Sequence, residues 1–208
     1  MVFKNISNLN KGITLIEILV VIFIIAALLT ILVADFPKIQ KQLALSRATN
    51  RFAQDLRRAQ DMALSGAEIK KPDSTTLNAK GYGIYINLNN SANEYIIYAD
   101  LNNDQKYNAD TLGNIDCDNY SPGSNTGDCV IETIDLNNDA KGVVINAISN
   151  TNNSQYISIN FNPPNPTISI FPGLAENAIR AGITFGLDSD SKNTRTVYMW
   201  TSGLIEAK

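Results

Sequence analysis

Oxygen-bearing side chains recur at every second position at the start of one polar stretch, DLNNDQKYNAD, residues 100–110. Asp100, Asn102 and Asp104 repeat the spacing by which an EF-hand loop places oxygen ligands around calcium. Gln105 occupies the position that such a loop gives to glycine, and Thr111 the position of its closing glutamate. The stretch predicts either a calcium site or an Asn/Asp-rich turn stabilised by bonds from side chains to backbone amides. The predicted calcium ligands are Asp100, Asn102, Asp104, the Lys106 carbonyl, Asn108 and Asp110.

The chain contains two cysteines, Cys117 and Cys129, which allow one disulfide but no four-cysteine metal site. The residues between them, DNYSPGSNTGD, include no aliphatic side chain that could pack in a core. A disulfide would constrain this stretch by roughly 2.5 to 3 kcal/mol through the entropy of the unfolded chain, in an oxidising compartment. Two free thiols are the alternative.

Histidine is absent from all 208 residues. Its absence removes the most common general base, the Ser-His and Cys-His nucleophile pairs, and most zinc and haem ligand sets. The sequence also contains no G-x-S-x-G motif and no P-loop. A net charge of −3 and a pI near 5.0 disfavour nucleic acid as a partner. We therefore expect a protein that is not an enzyme.

The elements that position these residues begin with an apolar segment at residues 13–34, ITLIEILVVIFIIAALLTILVA. A run of about 22 residues is long enough to cross a hydrocarbon core of about 30 Å. Lys4 and Lys11 precede it without an acid, which predicts a cytoplasmic amino terminus and an extracytoplasmic remainder. A signal peptide is the alternative, but its apolar region is shorter, about 7 to 15 residues.

Glu17 lies within this apolar segment. An ionised carboxylate costs roughly 2.5 to 3.5 kcal/mol at the centre of a membrane helix, so an acid here predicts a functional role with a specific partner. The alternative is that Glu17 lies near the cytoplasmic end and reaches the lipid headgroups.

The segment from Lys11 to Glu17, KGITLIE, resembles the processing site of type IV prepilins, the family of pilus subunits and of the pseudopilins of type II secretion. The resemblance implies that a membrane peptidase cuts after Gly12 and methylates the new amine of Ile13, and that Glu17 is the family's characteristic acid. The Ile13 ammonium and the Glu17 carboxylate of a neighbouring subunit can then neutralise each other in a low-dielectric helix bundle and set the register of assembly. The family usually has phenylalanine where this chain has Ile13.

A second helical pattern covers residues 38–65. Pro37 predicts either a kink or an unwound stretch before it or simply the start of a second helix, and Gly66 predicts its end. Apolar side chains spaced by three or four predict a stripe that packs on a sheet, formed by Leu45, Ala48, Phe52, Leu56, Ala59 and Ala63. The opposite face is either solvated or in contact with neighbouring subunits, and it carries Arg47, Arg51, Asp55, Arg58 and Asp61.

After this helix, short stretches rich in β-branched and aromatic residues alternate with turn-forming residues. We predict strands at residues 82–87, 94–99, 131–136, 143–148, 156–161, 167–171, 183–187 and 196–200, with the Pro163-Pro164 pair in a turn. The predicted fold is α+β and pilin-like, a long amino-terminal helix packed on an antiparallel β-sheet head with one or two sheets. The predicted divisions are a cytoplasmic leader (1–12), a transmembrane or filament-core helix (13–35), its amphipathic half (36–66) and a β-rich extracytoplasmic head (67–208).

Three further segments resemble the H-type pseudopilins and their fimbrial relatives: RFAQDLRRAQDMAL from Arg51, GYGIYI from Gly81 and RTVYMWTSGLIE from Arg195. The resemblance implies a minor pilin or pseudopilin, anchored by a single span in the inner (cytoplasmic) membrane and later in a pilus or pseudopilus. Its implied partners are prepilin peptidase, other subunits, the filament assembly platform and, before assembly, membrane lipid.

An anchored extracellular module outside any filament, either an enzyme or a calcium-dependent binding module, is the alternative function. Some relatives use basic residues near the carboxyl end to bind DNA. Here the tail ends in Glu206-Ala207-Lys208 and has no arginine pair, so we expect no DNA binding.

Overall fold

The computed structural model of this protein describes residues 12–110, 113–149, 155–163, 167–173 and 177–208. Residues 1–11 of the predicted leader, Thr111 of the predicted calcium loop and Pro164 of the predicted turn lie outside the described residues. The described residues confirm an α+β fold, in which a long amino-terminal helix precedes a head of mainly antiparallel strands.

The first helix, α1, runs from Leu15 to Ser65 and contains no glycine. It ends at Gly66, whose φ of +59° is in the left-handed region. The amide of Gly66 donates to the Ala63 carbonyl (3.2 Å), and the amide of Ala67 donates to the Met62 carbonyl (3.1 Å). These two bonds form a Schellman motif, which satisfies carbonyl groups of the last turn, and the predicted helix end is confirmed.

Pro37 lies inside α1, where the sequence predicts a kink or an unwound stretch. The helix is continuous through residues 35–37, so the prediction of an unwound stretch is wrong. Proline removes one backbone donor, and the carbonyl of Val33 loses its intrahelical partner, but the residues on either side keep theirs. The remaining bonds are sufficient to maintain the helix.

The chain divides into two compact units between Gln40 and Lys41. In the first unit, α1 exposes its large apolar side chains, among them Ile16, Phe23 and Leu32. The most apolar 18-residue window of α1 has a mean hydropathy of 3.2, so by length and composition the helix can cross a membrane. The predicted divisions of the chain at residues 12, 35 and 66 stay predictions.

The second unit begins with residues 41–65 of α1, and here the predicted apolar stripe is confirmed. All of its members are at most 4 % exposed: Leu45, Ala48, Phe52, Leu56, Ala59 and Ala63. Tyr95 and Phe185 pack against the Phe52 ring, with centroid distances of 5.0 Å and 5.3 Å. The Phe52 ring of the helix is therefore in contact with two different sheets of the head.

Each of the eight predicted strands is present, and four short strands were not predicted. In chain order the strands and the short helix α2 are β1 (Ile69–Lys70), β2 (Thr76–Leu77), β3 (Gly81–Asn87), β4 (Glu94–Asp100), β5 (Ile115–Asp116), β6 (Cys129–Asp135), α2 (Leu136–Asp139), β7 (Val143–Ser149), β8 (Tyr156–Asn162), β9 (Thr167–Pro172), β10 (Arg180–Leu187), β11 (Asp190–Trp200) and β12 (Ile205–Ala207).

In the described part of the chain these strands form three sheets. The largest has the order β5-β6-β4-β3-β8-β9, the second has the order β12-β11-β10-β7, and β1 pairs with β2. The neighbouring strands are antiparallel except for β5 and β6, which are parallel. Tyr95 lies on β4 and Phe185 on β10, so the ring of Phe52 contacts one strand from each of the two larger sheets.

Both faces of the six-stranded sheet are covered. One face joins the main core through Ile84, Ile97 and Ile159. The segment between β4 and β6, of which residues 101–110 and 113–128 are described, is called the covering segment below, and part of it packs on the other face. Its Tyr107 forms a second apolar cluster with Ile96, Tyr98 and Val130, and the Tyr107 ring lies 5.1 Å from that of Tyr98. This segment buries the polar side chains that β8 directs to the same face, Ser158, Asn160 and Asn162.

Arg51 and Arg58, two arginines of the polar helix face, form ion pairs with acids of the same subunit. Arg51 pairs with Asp55 (3.7 Å), Glu132 (3.9 Å) and Asp139, and Arg58 Nη1 donates to Glu132 Oε2 at 2.5 Å. These pairs connect α1 to β6 and α2. Because the side chains are partly exposed, each pair contributes about 0–1 kcal/mol. Arg51 is half-buried and Arg58 is exposed, so both keep surface that solvent or a neighbouring subunit can contact, as the sequence predicts.

Candidate functional site

The start of α1 is a capping box formed by Thr14 and Glu17. Glu17 Oε2 accepts hydrogen bonds from the amide and from the hydroxyl of Thr14, both at 2.9 Å. In return, the Glu17 amide donates to Thr14 Oγ1 at 3.4 Å. The arrangement satisfies donors at the helix start and holds the Glu17 carboxylate on its own helix. Thr14 was not predicted as the partner of Glu17, although the T-x-x-E spacing before an apolar run is the signal that could have found it.

The predicted processing site lies just before this capping box. Gly12 and Ile13 are exposed, and both precede the first helical residue, so the bond between them lies outside the helix. A peptidase can therefore reach the bond after Gly12 without unwinding α1.

A family model described as "Prokaryotic N-terminal methylation motif" matches residues 7–33. The chain carries a prepilin-type amino terminus. Together with the long helix that follows it, this motif fits the type IV pilin and pseudopilin family. It implies processing by prepilin peptidase and assembly with other pilins. No curated protein and no solved structure matches the chain.

The head that follows this prepilin-type terminus contains an acidic loop after β4. Asp100, the last residue of β4, is fully buried. Its Oδ1 accepts from the Asn103 amide (2.6 Å), and its Oδ2 accepts from the Gln105 amide (3.0 Å). Asn103 and Gln105 have φ values of 66° and 67°. Gln105 thus adopts the left-handed conformation that an EF-hand loop obtains from glycine, so its side chain does not prevent this turn.

The structure brings two of the predicted ligands together with an acid that was not predicted. One carboxylate oxygen from each of Asp100, Asp104 and Asp128 lies within 4.8 Å of the others. Asp128 is fully buried and comes from the far end of the covering segment, directly before Cys129. No local spacing connects it with Asp100, because the contact depends on the pairing of β4 with β6.

Asn102 and Asn108 form hydrogen bonds with the acids of this cluster. The backbone amide of Asp104 donates to Asn102 Oδ1 at 3.0 Å, and the backbone amide of Asn108 donates to Asp128 Oδ2 at 2.9 Å. The side-chain nitrogen of Asn108 donates to Asp104 Oδ2. Asp110 Oδ2 accepts from the Thr126 amide at 2.8 Å, at a different place in the covering segment. The role of the Lys106 carbonyl stays a prediction.

Burial is the main cause that raises the pKa of the Asp128 carboxyl to about 7. The charges of Asp100 and Asp104 act in the same direction, whereas the hydrogen bonds from the amides of Leu101 and Asn108 lower the pKa. Burial also raises the pKa of Asp100. Both carboxylates thus lie where their negative charge is incompletely compensated.

The predicted disulfide between Cys117 and Cys129 is present. Cys129 is the first residue of β6, and both cysteines are buried. Although the enclosed stretch lacks aliphatic residues, it is not without packing, because Tyr120 belongs to the main core. Gly127 lies where two backbone segments meet, since a Cβ at this position would be 2.5 Å from the Asn108 carbonyl oxygen. The disulfide-bonded stretch and the acidic loop are therefore parts of the same covering segment, and their backbones pack against each other.

Proposed function

We propose that this chain is a structural subunit of a type IV filament and has no enzymatic activity. We propose further that it is a minor pilin or pseudopilin, in a pilus or in a type II secretion pseudopilus. One observation carries this proposal: Glu17 is the one charged side chain in the sequence of residues 13–34, and it lies four residues after the terminus that processing would create at Ile13. The absence of histidine from the sequence supports a structural role.

In the proposed assembly step, the Glu17 carboxylate changes its binding partner. It leaves Thr14 of its own chain and binds a neighbouring subunit. In the single chain, Thr14 satisfies one oxygen of this carboxylate. After processing, the Ile13 ammonium of an adjacent subunit can bind the same group. In the low-dielectric surroundings of packed apolar helices, two opposite charges attract each other more strongly than they do in water. This pair would fix the axial position of one apolar helix against the next, because every other side chain nearby is uncharged.

The proposed topology follows from the lysines before the apolar segment. Lys4 and Lys11 favour a cytoplasmic leader, with the head on the other side of the inner membrane. The proposed partners are prepilin peptidase on the cytoplasmic side, the assembly platform, other subunits and the surrounding lipid before assembly.

The mature amino terminus provides the first test. In cells that contain prepilin peptidase, we expect a protein that begins at Ile13 and carries one added methyl group on its amine. Intact-mass and peptide mass spectrometry of the purified protein measure both changes. Gly12→Val should leave the full-length chain uncut, because the cleavage site needs glycine in the family that this terminus resembles. A wild-type protein that still begins at Met1 contradicts the proposal.

Three variants separate the charge of Glu17 from its capping role. Glutamine can replace glutamate in a capping box, so Glu17→Gln keeps the cap and removes the charge. Thr14→Ala removes the cap partner and keeps the charge, and Glu17→Ala removes both. We expect both Glu17 variants to reduce the subunit in sheared filaments at least tenfold relative to the membrane pool, and Thr14→Ala to reduce it much less. Immunoblots of the two fractions measure the ratio.

The same variants test the alternative of a simple membrane anchor. If Glu17→Gln enters filaments as well as the wild type, the carboxylate acts only as a helix cap and the charge pairing is wrong. If the wild type itself stays in the membrane fraction when the assembly machinery is present, an anchored module outside the filament becomes the better description.

A further inference from the structure

The junction between the six-stranded sheet and the covering segment concentrates negative charge. Asp100 and Asp128 are fully buried there, and Asp104 lies at the surface beside them. Among the residues that the structure describes, none of these three acids forms an ion pair with lysine or arginine. Backbone amides donate to all three carboxylates, but amides carry only partial charges. Uncompensated buried carboxylates are strongly unfavourable, so these acids favour either a bound proton or a positive partner.

An independent observation comes from the buried amides of β8. The side-chain oxygens of Asn160 and Asn162 are buried and have no hydrogen-bond partner. Both lie beside Gly81, at 2.8 Å and 2.5 Å from the position that a Cβ on this glycine would occupy. The nitrogen of the Asn160 amide donates to Asp100 Oδ2 at 2.9 Å. Two neighbouring acceptors without a donor are an arrangement that folded proteins rarely retain.

A half-turn of the Asn160 amide removes this conflict. The oxygen and nitrogen of an asparagine amide have the same shape, and their assignment follows from the surrounding hydrogen bonds. In the turned orientation, the nitrogen of Asn160 faces the orphan oxygen of Asn162. The oxygen of Asn160 then faces Asp100 Oδ2, and two acceptors can approach each other there only if a proton or a metal cation lies between them. A metal cation at the point where the carboxylates converge would bind the Asn160 oxygen and also compensate the charge of Asp100, Asp104 and Asp128.

The hydroxyl of Tyr98 is a second buried group at this place. Tyr98 is fully buried and its hydroxyl oxygen has no hydrogen-bond partner. Tyr98 and Asp100 are two residues apart on β4, so their side chains lie on the same face of the strand. The hydroxyl can donate a hydrogen bond to a carboxylate or to a water in the shell of a bound cation.

We propose that Asp100, Asp104, Asp128 and the side-chain oxygen of Asn160 bind one calcium ion, with water completing its shell. Calcium accepts six to eight oxygen ligands in flexible geometry, which suits carboxylates from two segments and an amide from a strand. Magnesium requires a near-ideal octahedron, and a site without nitrogen or sulfur ligands does not favour zinc or copper. The site differs from the contiguous EF-hand-like set because Asp128 and Asn160 close it in place of Asn102, Asn108 and Asp110. It does not depend on filament assembly.

Calcium titration of the full chain in detergent micelles, after removal of metals with EDTA, tests the proposal. We expect one calcium per chain and at least tenfold weaker binding of magnesium by isothermal titration calorimetry. At a hundredfold excess over Kd, calcium should raise the Tm of the head by roughly 5 to 10 °C. Terbium(III) provides a readout without mutation, because tyrosines near the site can sensitise its luminescence and added calcium should then quench it.

Two matched aspartate variants locate the site. Asp128→Asn removes one charge from the cluster and keeps an oxygen acceptor for a backbone amide. Asp110→Asn makes the same change in a buried acid of the covering segment that lies outside the cluster. We expect Asp128→Asn to weaken calcium binding at least tenfold and Asp110→Asn to change it less than threefold. Near-ultraviolet circular dichroism confirms that each variant is folded before titration.

Asn160→Asp tests the amide directly. Aspartate offers an oxygen to the cation without a half-turn, so this variant should bind calcium at least as tightly as the wild type. In EDTA it should be less stable than the wild type, because it adds a buried charge. The proposal is overturned if the wild type binds neither calcium nor terbium saturably, or if Asp110→Asn weakens binding as much as Asp128→Asn. These measurements use unassembled protein, so such a failure leaves the filament proposal untouched.

Discussion

Phe52→Ala is expected to lower the free energy of unfolding of the head by about 3–5 kcal/mol, the usual cost of removing a buried phenylalanine ring. Phe52 is fully buried, and its ring makes an edge contact with Tyr95 at 5.0 Å and a tilted contact with Phe185 at 5.3 Å. Alanine would leave a cavity where α1 meets both large sheets. Both sheets contribute side chains to the same core. The cavity can therefore close only if one sheet moves relative to the other.

The unfolding of the head can be measured in the full chain. All eight tyrosines and the single tryptophan lie at or after Tyr82, so near-ultraviolet circular dichroism reports on the head and not on the apolar half of α1. Urea titration of detergent-solubilised protein gives the free energy of unfolding by linear extrapolation. Gln54→Ala is the matched control, because Gln54 is exposed on the same helix and should change stability by less than about 0.5 kcal/mol. A loss below 1 kcal/mol for Phe52→Ala contradicts the central position of this ring.

The parts of the fold that could be predicted from the sequence are those that follow a pattern among neighbouring residues. The buried helix stripe from Leu45 to Ala63 follows the helical period, and it is buried throughout. Strands of five or more residues follow from β-branched and aromatic runs. β1, β2, β5 and β12 were missed because two or three residues are too few to show alternation. The end of α1 could be predicted because Gly66 alone determines it.

The parts that could not be predicted depend on partners that are distant in the sequence. Polar residues at alternate positions of β8 ordinarily indicate an exposed face, yet Ser158, Asn160 and Asn162 are buried because the covering segment lies over them. Asp128 joins Asp100 only through the register of β6 against β4. In the same way, the sequence shows that Arg51 is charged but not that its partners are Glu132 and Asp139. Local patterns contain no information about such contacts.

Replacing both Cys117 and Cys129 with alanine is expected to destabilise the head by about 3 kcal/mol through the entropy of the unfolded chain. The disulfide closes a loop over a sequence separation of 12 residues, in which the side chains of Tyr120 and Asp128 are buried. In the wild type, this loop is already constrained before folding begins. Urea titration under the conditions used for Phe52→Ala measures the change, and reduction of the wild type should give a similar loss.

The cysteine variant should lose the same stability in EDTA and in saturating calcium. Asp128 precedes Cys129, and Cys129 is held in the sheet by its pairing with Ala99 of β4. The Asp128 oxygens also accept from the amides of Leu101 and Asn108, both at 2.9 Å. These contacts keep the carboxylate in place without the sulfur bridge, so removal of the bridge acts on the unfolded state and leaves the proposed cation site formed. A loss that is larger in calcium than in EDTA by more than 1 kcal/mol would show instead that the bridge positions Asp128, and the affinity for calcium would then fall together with stability.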